Sequence, residues 1–380
     1  MTSDGESGSI ARASRRGAVL VCAGLAALAA CSRSADVLDG CGDAEGWSSI
    51  CEFSNPEDIA LVPGTPWIVV SEFPPEGEAG ALVAFRAIDE RRRTLYPDGP
   101  DEGLLSAAAP MAGWGDPECP GPPDRAVFAP HGIDVRSDPN GAGVLAVVNH
   151  GGRHSVELFE IGYAAGGPAL GWRGCVPMPP GVWPNDVAFW PGGGFAVSHM
   201  MTPMEESGGM LSGLKLAVGA DTGRVLRWTA HDGMRPIEGS EGSGPNGVAV
   251  SADGTEVFFA EWGGRRLVRL RLDERPGRRE LELDIRPDNL SWSRDGRLLV
   301  AGQRGGFGEI LGCAEIERGT CALGYAVLAV EPSSLESRTL VESREEGEVT
   351  GAVSSALHVG GELFLGTFAG DRVVRTRFPD

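Results

Sequence analysis

Short apolar runs alternate with Gly, Pro and Asp turns along most of the chain, and few stretches carry the 3.6-residue period of an amphipathic helix. This pattern predicts strands throughout. One phrase also repeats: Pro and polar residues, an alternating strand, a turn, then a second apolar strand. Pro56-Glu57-Asp58-Ile59 leads to Trp67-Ile68-Val69-Val70, and Pro130-His131-Gly132-Ile133 to Val144-Leu145-Ala146-Val147-Val148. Pro184-Asn185-Asp186-Val187, Pro245-Asn246-Gly247-Val248 and Pro287-Asp288-Asn289-Leu290 open three more copies, and Val353-Ser354-Ser355-Ala356 a degenerate sixth. The copies recur about 40 to 75 residues apart, the length of a propeller blade with its loops. No single copy buries its own faces, so the copies must close into a ring. The expected fold is all-β, a six-bladed β-propeller of four-stranded blades around a central channel.

The chain before the repeat follows another pattern. Arg12, Arg15 and Arg16 precede an apolar run from Ala18 to Ala30, too short for a mature membrane span and typical of a secretory signal. It ends in Leu28-Ala29-Ala30-Cys31, which resembles a bacterial lipobox and implies diacylglyceryl attachment at Cys31. The expected organisation is a lipoprotein signal peptide over 1–30, a lipidated tether over 31–50 and the propeller over 51–380. The expected setting is the cell envelope or periplasm of a bacterium, as an exported lipoprotein whose only membrane contact is the anchor.

Composition narrows the partners. The formal net charge is −20, and removing residues 1–30 takes away Asp4 and Glu6 against three arginines, leaving about −21. Such a chain is repelled by nucleic acid, which is excluded as a partner. Beyond Cys22 and Cys31, six cysteines remain, an even number that in an exported chain favours disulfides. Proximity pairs Cys41 with Cys51, Cys313 with Cys321 and Cys119 with Cys175, although six cysteines admit many connectivities.

The polar residues of the phrase carry the candidate chemistry. If each phrase opens the inner strand of its blade, Glu57, Asp58, His131, Asn185, Asp186, Asn246, Asp288 and Asn289 meet at one mouth of the channel. Carboxylate and amide oxygens without thiolate suit calcium better than zinc or copper. Asn-Gly, Asn-Asp and Asp-Asn after proline are also ordinary turn chemistry. Four copies with oxygen ligands at matched positions favour the metal.

With these residues in place, the chain resembles the paraoxonase/arylesterase family. The resemblance rests on Pro130-His131-Gly132-Ile133, on His150 in Val147-Val148-Asn149-His150, and on Ser155-Val156-Glu157-Leu158-Phe159. Glu57-Asp58, Asn185-Asp186, Asn246-Gly247 and Asp288-Asn289 follow in the same order, and the similarity runs from about Asn55 to Arg377. It implies a calcium-dependent hydrolase of carboxylic esters or lactones, acting as a monomer on a small-molecule substrate. It also implies two calcium ions. Glu57, Asn185, Asn246, Asp288 and Asn289 would hold the catalytic one, and Asp58, Asp186 and the Ile133 carbonyl a deeper structural one. His131 would be the base on water with His150 orienting it, and His199 and Gln303 would lie in the substrate pocket. A comparable family segment covers the pocket, so Met200, Met201, Met204 and Met210 would form a substrate-facing loop.

The chain departs from the family in three places. Gln303 stands where the family has a further active-site histidine. No cysteine follows Cys321 to form the family's terminal disulfide, so ring closure would rest on strand pairing alone. A lipid anchor replaces the family's N-terminal helix. Two other readings remain: a sugar-lactone hydrolase similar to gluconolactonases, and a non-catalytic envelope propeller with structural calcium.

Overall fold

The computed structural model describes residues 36–379 apart from 76, 100–112, 138–142, 165, 274, 315, 317 and 344–347. Cys31 and the whole of the expected signal peptide lie outside the described residues.

The repeat folds as six four-stranded antiparallel sheets arranged in a ring, a six-bladed β-propeller. Each phrase forms an inner strand: Pro56–Leu61, Pro130–Ser137, Trp183–Phe189, Pro245–Val250, Arg286–Trp292 and Val353–Val359. Asp253-Gly254 and Asp295-Gly296 turn the chain into the second strand in blades 4 and 5, each with its glycine in the left-handed region (φ 72° and 82°). Between consecutive blades the apolar faces interdigitate. Leu82, Leu145 and Phe159 pack between blades 1 and 2, and Phe85, Ile68 and Phe364 between blades 6 and 1. A ring of such seams is the core.

Three carboxylates, Asp58 and Asp186 buried and Asp134 partly buried, cross-link these seams at the channel. Asp58 accepts the N–H of Ile133 in the next blade (2.8 Å) and that of Ile59 in its own (2.8 Å). Asp134 does the same with Phe189 (2.7 Å) and Val135 (2.7 Å), and Asp186 with Val248 (2.7 Å) and Val187 (2.7 Å). Each carboxylate therefore spans a blade boundary.

The ring closes with the N-terminal strand Trp47–Cys51, which pairs with Arg372–Arg377 as the outermost strand of blade 6. From residue 36 onward, much of the stretch expected to be tether is thus part of the propeller, and Val37–Leu38 pairs with Thr320–Cys321. The expectation that closure rests on strand pairing alone needs correcting. The buried guanidinium of Arg372 donates to the carbonyls of Gly40 (2.7 Å), Leu38 (3.2 Å) and Val349 (3.3 Å). It binds the first turn of the described chain to the last blade. Among the described residues three disulfides join Cys41–Cys51, Cys119–Cys175 and Cys313–Cys321.

Among the described residues two helices interrupt the blades, α1 (Gly209–Ala217) and α2 (Phe307–Cys313). Each lies between the second and third strands of its blade, so both stand at the mouth where the inner strands begin. Of the four methionines expected to face substrate, Met201 is buried and Met200 is partly buried beside it. Met204 and Met210 are exposed.

Candidate functional site

In all six blades the pairing register slips between the first residues of the inner strand and the second strand. A bulge re-aims side chains that a regular ladder would alternate across the sheet. Here it turns the polar residues of the phrase into the channel. The glycines of His131-Gly132 and Asn246-Gly247 sit where the next blade's inner strand passes close. A Cβ at Gly132 would lie 2.5 Å from Asp186 Cα, and one at Gly247 2.3 Å from the Asp288 carbonyl oxygen.

Glu57, Asn289, Asp288 and Asn246 meet at this mouth. Asn289 Nδ2 donates to Glu57 Oε1 (2.8 Å), and an Asn246–Asp288 hydrogen bond links blades 4 and 5. Asn185 turns its amide nitrogen to Met200 Sδ (3.7 Å). Four buried oxygens here have no hydrogen-bond partner: Glu57 Oε2, Asn185 Oδ1, Asn246 Oδ1 and Asn289 Oδ1. Orphaned acceptors of this kind are costly, and the four come from four different blades, 1, 3, 4 and 5. Burial, and then the neighbouring carboxylates Asp288 and Asp58, push the Glu57 carboxyl well above its usual range, and burial raises Asp288 to about 7. Among the described residues no cluster of three His, Cys, Asp or Glu side chains is arranged to hold a metal. The donor set is amide and carboxylate oxygen, which fits calcium and not a thiolate or imidazole metal.

Asp58 and Asp186, expected around a deeper ion with the Ile133 carbonyl, use both oxygens on backbone N–H groups as described above. Burial raises Asp58 to about 7 and Asp186 well above its usual range.

His131 faces the same mouth. Its Nε2 lies 3.7 Å from Glu57 Oε1, its Nδ1 3.0 Å from His150 Nε2, and Phe73 stacks on its ring at 4.4 Å. Burial lowers His131 to about 4 and His150 well below its usual range, the latter helped by His131 and His154. The cavity in front measures about 400 Å³ and is lined by Glu57, Phe73, His131, Asn246, Trp262, Asp288, Gln303 and Phe368 among others. A wider cavity of about 810 Å³ opens at the far mouth, around Leu61, Phe189 and Trp292. None of the orphaned oxygens lines it, so the smaller one is the candidate site.

Gln303 and His199 sit differently from one another. Gln303 is fully buried; its Nε2 donates to Asp288 Oδ2 (2.6 Å) and the Val353 carbonyl (2.9 Å), and its Oε1 accepts from Trp262 Nε1 (3.1 Å). It holds Asp288 in place. His199 does not line the cavity. It pairs directly with Pro184 across the sheet, and alternation gives the inward position to Met200. The His199 ring instead accepts the backbone N–H of Trp183 (3.1 Å).

The repeat contains a second ring that the sequence reading passed over. The residue after the one facing the phrase's first position is Phe73, His150, Met200, Trp262, Gln303 and Phe368 in blades 1 to 6. Aligning second strands as well as first would have found these rim residues. Trp183, Asp134 and His154 were also missed, and only the last carries a signal, a third histidine close behind His150.

No known family's sequence profile matches the chain, and no curated protein matches it by sequence. Solved structures do match in shape. A luciferin-regenerating enzyme is 14% identical with a TM-score of 0.51, covering 86% of this chain and 92% of its own. A protein described as a gluconolactonase is 15% identical with a TM-score of 0.49, covering 90% and 96%. The calcium-binding protein regucalcin from Agrobacterium tumefaciens is 12% identical with a TM-score of 0.47, covering 87% and 92%. At these identities the likeness is one of fold.

Proposed function

We propose that this mouth is the active site of a calcium-dependent hydrolase of lactones or carboxylic esters, in the manner of the arylesterases and lactonases. One observation carries the reading: buried, unpartnered oxygens from four blades lie at the same mouth of the channel as a partly buried histidine pair. Glu57, Asn185, Asn246, Asp288 and Asn289 would hold a calcium ion, which when bound polarises a carbonyl oxygen as a Lewis acid. The cavity suits a small substrate in volume. Phe73, Trp262 and Phe368 at the rim restrict water. His131 reaches the same space through Nε2, and His150 fixes its ring through Nδ1, so the pair is placed to manage the proton at the reacting carbonyl. Gln303 would keep Asp288 aimed at the ring. The deeper carboxylates, occupied with backbone N–H groups, need no second ion in this reading.

Export and anchoring at Cys31 belong to the same proposal. Three disulfides in one chain suit an oxidising compartment.

The test is turnover of phenyl acetate and a panel of γ- and δ-lactones, with calcium, with chelator, and in a His131→Gln variant. Calcium-dependent turnover that falls in the variant supports the site. Absence of turnover on every substrate by folded, calcium-loaded protein refutes the hydrolase and favours a binding propeller.

A further inference from the structure

Trp183 opens the inner strand of blade 3, directly before the proline of its phrase. Its backbone N–H is taken by His199, and its indole meets the histidine pair: Nε1 lies 3.0 Å from His150 Nδ1, with the two rings edge to face at 88°. An indole N–H donates and cannot accept. The His150 Nδ1 lone pair must therefore point at it, and that nitrogen carries no proton. His154 Nδ1 lies 3.0 Å from the same nitrogen and can approach it favourably only as a second donor. Neutral imidazole has a single N–H, and burial among other histidines keeps His150 neutral. Its proton is then on Nε2.

The consequence passes to the next ring. His150 Nε2–H faces His131 Nδ1 at 3.0 Å, so His131 Nδ1 accepts and the His131 proton sits on Nε2, the nitrogen facing Glu57 and the cavity. We infer that Trp183 is the positioning residue that sets the polarity of the pair, so that His131 presents an N–H to the substrate in the resting enzyme. This rests on the hydrolase reading for its catalytic meaning and on hydrogen-bond geometry, with His150 neutral, for the tautomers. It reverses the sequence expectation of His131 as base. In this tautomer His131 meets the substrate as a hydrogen-bond donor to the carbonyl or leaving oxygen rather than as a proton acceptor.

The tautomers are read directly by imidazole nitrogen NMR on ¹⁵N-histidine-labelled protein in calcium buffer, with His131→Gln and His150→Gln spectra for assignment. The expected pattern is a pyrrole-type Nε2 and a pyridine-type Nδ1 on both His131 and His150. A pyridine-type Nε2 on His131 overturns the inference. Trp183→Phe removes the donor while keeping an aromatic ring. It should mix the two tautomers and lower kcat about tenfold with KM unchanged, a loss at the modest end of acid–base effects. Unchanged tautomers in that variant would remove Trp183 from the assignment. If it fails to fold, the wild-type spectrum alone still decides the polarity of the pair. The expected tautomers in a protein without esterase or lactonase turnover would sink the hydrolase reading and leave the proton assignment standing.

Discussion

The channel holds two tiers of acidic and amide side chains, drawn from the inner strands of the blades, and they are bonded in opposite ways. In the lower tier, Asp58, Asp134 and Asp186 each take one N–H from their own blade and one from the next. In the upper tier, Glu57, Asn185, Asn246 and Asn289 each leave a buried oxygen without a partner. Asp58 and Asp186 are as buried as the upper tier and Asp134 is partly buried, so exposure does not separate the two tiers. Satisfaction does: a buried acceptor that already holds backbone N–H groups serves the fold, and one left open calls for something from outside the chain.

The difference can be broken from either side. The largest effect is expected in the lower tier. Asp134→Ala strands the N–H groups of Phe189 and Val135 and should cost about 2–5 kcal/mol of stability, measured by denaturant unfolding. A loss no larger than a surface substitution would show that the carboxylate does not join the blades.

In the upper tier the ranking inverts. Asn185→Ala removes an unpartnered oxygen, so without calcium its stability should stay within about 1 kcal/mol of wild type. Its turnover should fall about a hundredfold, with loss of the calcium response; intact activity would take Asn185 out of the site. The same contrast predicts that calcium raises the melting temperature of wild type. A hundredfold excess over Kd corresponds to about 2.7 kcal/mol, and the gain should survive in Asp134→Ala if that variant folds but not in Asn185→Ala. Equal gains in both would erase the distinction between the tiers.

The smallest effect concerns pH. His150 is held neutral by burial, with a folded proton affinity well below the ordinary value of 6.5. Below that value the unfolded chain binds more protons than the folded one, so this contribution to stability is complete above pH 6.5 and declines as pH falls beneath it. Melting curves at about pH 7.5 and about pH 5.5 should therefore diverge less in His150→Gln than in wild type. An equal divergence would place the acid sensitivity elsewhere.

Much of the fold was legible because a propeller writes its architecture as a period. Strand alternation, turn glycines and the spacing of the phrase identify blades without any long-range contact. The phrase also placed Glu57, Asn246, Asp288 and Asn289 at one mouth, since equivalent positions in a ring must converge. It did not separate the tiers. Asp58 and Glu57 are adjacent in sequence, and only the neighbouring blade's Ile133 N–H shows that one is occupied and the other open.

The sequence by itself determined the repeat, the closed all-β ring and the set of oxygen-bearing residues at its mouth, because these follow from local periodicity and rotational equivalence. The tertiary structure alone decided which of those oxygens are free, that His199 turns away from the cavity, and that Gln303 supports Asp288. It alone showed that Trp183 meets His150 33 residues earlier, and that Arg372 binds Gly40 332 residues away. Such contacts depend on which side chain the bulge or the next blade brings within about 3 Å, and hydrogen-bond direction is settled only at that range.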